Sequence, residues 1–131
     1  MNLFLDDDPS RIPHKLSWVE LPLVEWTIVR SYKQFVETIL QKGIPNIVSF
    51  DHDLGPDHYK EFHQAWYGNK VLNYNSMGEK TGFHCAKWLI EYCMDKKLPL
   101  PTCYIHTQNP IGKQNIQSLL DSYRKSCKME S

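Results

Sequence analysis

Residues Leu3–Pro9 read LFLDDDP. Three apolar residues run straight into three adjacent carboxylates, and the reading of that junction decides the fold. Like charges in contact repel, and a carboxylate is costly to bury unless something compensates it. A surface loop holds three Asp residues without difficulty. The end of a buried strand holds them only beside a cation. Met1–Leu5 reads as a short buried strand ending at Asp6, so what stands next to that end matters.

The same pattern recurs twice. In NIVSFDHDLG, Asn46–Gly55, an apolar run ends in Asp51, His52 and Asp53. In TCYIHTQNPIG, Thr102–Gly112, another ends in His106, Thr107, Gln108 and Asn109. VEWTIVRS, Val24–Ser31, is β-branched and aromatic and reads as a further strand. Between and after these runs lie helical patterns. Ser31 is placed to cap a helix that carries Phe35, Val36, Ile39 and Leu40 on one face and stops at Gly43. Thr81–Lys97 is amphipathic, with Ala86, Leu89, Ile90 and Cys93 on its buried face. Lys113–Cys127 turns Ile116, Leu119, Leu120 and Tyr123 inward. Residues 9–23 contain Pro9, Pro13 and Pro22 and no clean period, so they are expected to be mostly irregular.

The resulting order is strand, strand, helix, strand, helix, strand, helix. It predicts an α/β three-layer sandwich around a short, mainly parallel sheet of about four strands. The 131 residues make one domain, 1–131, with a real core. Residues 56–81 are polar and aromatic without a strong period, and are expected to form a lid. Tyr59, Trp66, Tyr67 and Tyr74 would stack on a base there, or would complete the core.

Lys+Arg and Asp+Glu both number 15, so the formal charge is zero. This argues against a chain held on nucleic acid mainly by charge, and leaves room for a small phosphorylated ligand in a local site. No apolar run approaches the roughly 20 residues of a membrane span, and no basic segment precedes a long apolar one at the start. Cys85, Cys93, Cys103 and Cys127 form no CxxC pair. Cys85 and Cys93, eight apart and near helical spacing, are expected to be buried thiols, and a reduced, cytoplasmic setting fits the four cysteines best.

In a parallel sheet the carboxyl ends of the strands share one edge, where open α/β sheets bind ligands. The Asp triplet is therefore expected to face a second acidic cluster across that edge, with a hard divalent cation between them. Oxygen ligands suit Mg²⁺ or Mn²⁺, and an imidazole widens the choice toward Mn²⁺ or a softer metal. Asp-rich turns also arise because Asp caps helices and tolerates turns. His52 and His106 each follow a strand inside an acidic or amide-rich turn, and are candidates for chemistry. His14, His58, His63 and His84 read as structural or surface residues.

LFLDDDP, SFDHDLG, TGFHCAKWL and YIHTQNPIG, spaced across nearly the whole chain, together resemble the cyclic-phosphate processing receiver-like domain. That family is a diverged relative of the response-regulator receiver domain. The resemblance implies a receiver-like, flavodoxin-like fold, truncated at its C-terminal end. It also implies an origin in a bacterium or phage and a cytoplasmic location, in a bacterium or a phage-infected cell. On the receiver pattern Asp7 and Asp8, with Asp6 beside them, correspond to the metal-binding pair. Asp51 takes the acceptor position, and Thr107 lies near the receiver Ser/Thr. No fifth strand carrying the receiver's Lys is found, and His52 and Asp53 follow the acceptor Asp. Both departures argue against phosphorelay signalling. They fit the diverged family, whose proposed role is hydrolysis of cyclic phosphates or related phosphoesters.

The expected activity is a metal-dependent phosphoesterase acting on a small phosphorylated or nucleotide-like ligand, or on an RNA end. Asp7, Asp8 and Asp51 would hold Mg²⁺ or Mn²⁺, with Asp6 a further ligand. Asp53 would add a ligand or orient a histidine. His106 or His52 would act as general base or acid. Asn109 and Thr107 would hydrogen-bond phosphate oxygens. Lys113 would add charge beside the amides of a helix N-terminus, although the plain surface-lysine reading fits it somewhat better. The alternative is a receiver-like interaction or ligand-sensing module whose cation is structural.

Overall fold

A computed structural model of the chain describes residues 1–54 and 80–130. The elements are β1 (Asn2–Leu5), β2 (Thr27–Val29), α1 (Tyr32–Lys42), β3 (Ile47–Phe50), α2 (Gly82–Lys96), β4 (Thr102–Ile105) and α3 (Pro110–Glu130). The strands form one sheet in the order β2-β1-β3-β4, and every pairing is parallel. The lid expected over residues 56–81 lies outside the described residues, apart from Lys80 and Thr81.

Alternation along the strands sorts their side chains onto two faces. Leu3 and Leu5 of β1, Val48 and Phe50 of β3 and Val29 of β2 enter one buried cluster. That cluster also takes Phe35 and Ile39 from α1, Cys85, Ala86, Leu89, Ile90 and Cys93 from α2, and Ile116 and Leu120 from α3. All three described helices thus pack on the same face. Phe4, fully buried, belongs to the opposite face, where its ring meets Trp26 edge-on at 6.3 Å and stacks on His106 at 4.4 Å. Residues 6–26 cover this second face. Their only helical piece among the described residues is the three-residue 3₁₀ turn Pro13–Lys15, as the prolines lead one to expect.

The helix ends follow their capping residues. The Ser31 hydroxyl accepts the N–H of Gln34, and Gly43 closes α1 at a φ of 89°. Thr81 caps α2 in a box with His84, whose Nδ1 accepts the Thr81 N–H at 2.8 Å. This places His84 in a structural role. The last helix starts at Pro110, three residues ahead of the expected Lys113, because the Asn109 side chain accepts the Gly112 N–H at 2.9 Å and Pro110 fits the first helical position.

Two local expectations are corrected. Leu40 is 60% exposed rather than on the buried face of α1. Only Phe35 and Ile39 are fully buried on that helix, whose inward stripe is narrower than the apolar residues suggest. The strand expected over Val24–Ser31 shortens to Thr27–Val29. Its beginning is drawn into a turn in which Pro22's carbonyl accepts the Val24 N–H at 3.0 Å and the Trp26 indole N–H at 3.2 Å. Cys85 and Cys93 are buried free thiols, as expected.

Candidate metal centre at the sheet edge

The register fixes the site. Leu5 pairs with Phe50 and Phe50 with Ile105, so the next residues of the three strands, Asp6, Asp51 and His106, stand in a row. The ladder continues one residue beyond the strands to hold them there. Asp6 N–H donates to the Val29 carbonyl at 3.1 Å, Asp51 N–H to Leu5 at 2.9 Å, and His106 N–H to Phe50 at 2.9 Å. Alternation turns all three side chains to the face of Phe4 and Ser49. All three residues are buried, at 0%, 2% and 0% exposure.

Asp6, Asp51 and His106 each offer one ligand atom within 4.8 Å of the others. The His106 Nε2 lies 3.1 Å from Asp6 Oδ2, and its Nδ1 lies 2.7 Å from the Ser49 hydroxyl. That hydroxyl can donate to or accept from the ring, so it supports either neutral tautomer. Asp6 Oδ1 accepts the Asp8 N–H at 2.9 Å, and Asp51 Oδ1 accepts the His52 N–H at 2.9 Å. Thr107, 7% exposed, also hydrogen-bonds to the Asp51 carboxyl.

Electrostatics mark this as a place where buried carboxylates are crowded together, with the Arg11 guanidinium 3.6 Å from Asp6 and 3.9 Å from Asp51 as a partial counter-charge. Burial pushes the Asp51 carboxyl up, to about 8, and the neighbouring Asp6 carboxylate adds to the rise. Burial holds the His106 imidazole below its ordinary value, against the opposing pull of Asp6. The donor set fits a divalent cation. Two carboxylates and one imidazole converge, and the imidazole carries an outer partner, Ser49, of the kind that orients metal-bound histidines. The oxygens suit Mg²⁺ and the nitrogen extends the fit to Mn²⁺.

Among the Asp triplet, it is Asp6 that the structure sets against Asp51. Asp7 and Asp8 lie outside the group. Asp7 is half-buried, and burial followed by the Asp6 charge raises its carboxyl. The Asp8 side chain accepts the Ser10 hydroxyl at 2.7 Å and the Ser10 N–H at 2.9 Å, which hold its carboxyl below the ordinary range.

His52 and Asp53 go to the helix side of the edge. The His52 ring is fully buried beneath α3, where a Cβ on Gly112 would lie 2.3 Å from its Cγ. Its Nδ1 lies 2.8 Å from Asp53 Oδ1. Asn109 Nδ2 donates to both Asp53 oxygens, at 3.2 and 3.3 Å. The Asn109 amide thus spans from Asp53 to the first turn of α3, and Asp53 keeps 23% side-chain exposure. Lys113 is exposed on that turn. Gly82 admits a second close approach, since a Cβ there would lie 1.7 Å from the Asp51 carbonyl oxygen.

The sequence reading passed over Arg11 and Arg30. One Arg30 nitrogen donates to the carbonyls of Asp6, Asp8 and Arg11, at 3.0, 2.6 and 3.2 Å, and so fixes the loop after β1. No motif marks either arginine. Only the register, which brings the residue after Val29 beside the residue after Leu5, could have pointed to Arg30.

A parallel sheet with a buried acidic group at the carboxyl ends of its strands defines a receiver-like α/β domain. The model of the cyclic-phosphate processing receiver domain matches residues 1–122, and the chain belongs to that family. No curated protein and no solved structure matches it. No helix among the described residues is long and apolar enough to cross a membrane.

Proposed function

We propose that this domain is a metal-dependent phosphoesterase that processes a cyclic phosphate or a nucleotide-like phosphoester, including one at an RNA end. The observation that carries the reading is the convergence of Asp6, Asp51 and His106 within 4.8 Å, in a domain of a cyclic-phosphate processing family. Mg²⁺ or Mn²⁺ held there would polarise a phosphoryl oxygen and make a water molecule more acidic. Asp6 and Asp51 supply the oxygen donors and His106 the nitrogen. Ser49 and Phe4 hold the His106 ring in place. Asp7 stands at the rim and Asp8 shapes the loop.

Proton movement falls to Asp53 and His52. Asp53 is the member of that pair open to solvent, while His52 and Asn109 fix its carboxylate. Thr107 orients Asp51. Lys113 is the remaining charge at the start of α3. A cytoplasmic setting, in a bacterium or a phage-infected cell, fits such a substrate.

The complete burial of both histidines favours a second reading, an interaction or ligand-sensing module with a structural cation. One experiment separates the two. Turnover of 2′,3′-cyclic and 3′,5′-cyclic nucleotides and simple phosphodiesters is measured with Mg²⁺, Mn²⁺ or EDTA, for the wild type, Asp51→Asn and Asp53→Asn. Metal-dependent turnover lost in both variants supports the phosphoesterase. Metal binding through Asp51 without turnover of any substrate supports the module.

A further inference from the structure

We infer that Arg11 is the residue that meets the substrate's phosphoryl group, and that without a phosphoryl group it competes with the cation for Asp6 and Asp51. The inference rests on the function proposed above and adds the group that recognises the substrate's charge.

Arg11 NH1 lies 3.6 Å from Asp6 Oδ2 and 3.9 Å from Asp51 Oδ2, and its Nε lies 3.7 Å from Asp8 Oδ2. Each distance allows attraction and is too long for a hydrogen bond. Among the described residues the guanidinium therefore balances three carboxylates without spending its N–H donors on them. Its carbon sits 5.2 Å from the centre of the Trp18 ring, a cation–π arrangement. The Trp18 indole N–H donates to the His106 carbonyl at 2.6 Å, so this aromatic shelf is tied to the end of β4. Arg30 fixes the backbone at Arg11. The root of the side chain is thus held firmly, while the side chain as a whole is 29% exposed and its head is kept in place by charge and stacking.

A planar guanidinium with free donors matches two phosphoryl oxygens at once. The sheet of the described residues has four strands, and the cation set against its acidic pair is Arg11, from the connection between β1 and β2. A divalent cation at Asp6, Asp51 and His106 would meet the like charge of Arg11. A phosphoryl group accepting the guanidinium's donors would relieve that repulsion. Cation and phosphate must then strengthen each other's binding, and linkage makes the effect reciprocal.

The test is calorimetric titration with Mn²⁺ alone, and then with inorganic phosphate on the Mn²⁺-loaded protein. Wild type is compared with Arg11→Gln, which removes the charge, and Arg11→Lys, which keeps it without the fork. Arg11→Gln is expected to bind Mn²⁺ roughly fivefold more tightly than wild type, and phosphate roughly tenfold more weakly. Arg11→Lys is expected to match wild type for Mn²⁺ and to bind phosphate several-fold more weakly. Equal affinities in all three proteins overturn the inference. So does weaker Mn²⁺ binding by Arg11→Gln. If Arg11→Gln does not fold by circular dichroism, unchanged phosphate binding by Arg11→Lys overturns it. A wild type that binds no Mn²⁺ rejects the cation site itself, and this inference with it.

Discussion

Asp6 and Asp51 are neighbours because Leu5 and Phe50 are register partners in adjacent parallel strands. The Asp51 N–H donates to the Leu5 carbonyl at 2.9 Å, which carries the ladder past the last paired residues. Two buried carboxylates are thereby held on one face of the sheet edge, with His106 beside them. Holding them there costs stability unless positive charge or a proton compensates.

Stability should therefore depend on pH through Asp51. Its folded value near 8 exceeds the ordinary carboxylate value of 3.8. Between those values the folded protein holds a proton that the unfolded chain has released, so this group's contribution falls as pH rises from about 4 to about 8. Asp51→Asn should be more stable than wild type in EDTA at pH 8, by on the order of a few kcal/mol, with the gap closing toward pH 4. Urea denaturation across that range measures it. Added Mn²⁺ should stabilise wild type and not the variant.

Ser49→Ala removes the partner of His106 Nδ1 in a buried setting. The loss should cost about 1–3 kcal/mol of folding stability, the penalty for an unpaired buried group. Mn²⁺ affinity should drop roughly tenfold, the scale of an outer-shell partner of a metal ligand. Calorimetry with wild type and variant reads the second effect.

Gly112→Ala places a methyl group where the His52 ring already sits, 2.3 Å from its Cγ. The ring cannot remain in place. The variant should lose about 1–3 kcal/mol, as overpacked cores do, and should shift the His52 imidazole resonances in an NMR spectrum. Gly82→Ala, whose methyl would meet backbone at 1.7 Å, should be the more damaging of the two in thermal denaturation.

Much of this architecture is legible in the sequence, and the misses have physical causes. The parallel sheet follows from apolar runs alternating with amphipathic helices, and the edge site from three such runs ending in polar clusters. Asp51 and His106 could be placed at the edge because each ends its run, but His106 reads there as a general acid or base and not as a member of the group that could hold a metal. The triplet was ambiguous, since adjacent residues are chemically identical and only register and alternation choose Asp6 over Asp7 and Asp8. Burial of His52 under Gly112 depends on contact between distant segments, which no local pattern encodes. Asn109 read as a phosphate ligand from its turn. The cap that it makes for α3 was present in the Asn-Pro step but lay hidden in what looked like loop. Arg11 stands in a proline-rich stretch without a period, so nothing local pointed to the charge it brings to Asp6.

The most direct test of the account is Mn²⁺ titration, followed by electron paramagnetic resonance, of the wild type, Asp6→Asn and Asp7→Asn. The account predicts one tightly bound Mn²⁺ in the wild type, a loss of roughly a hundredfold or more in affinity in Asp6→Asn, and a change within about threefold in Asp7→Asn. Binding that survives Asp6→Asn and fails in Asp7→Asn would contradict it, and would move the cation to the rim of the site.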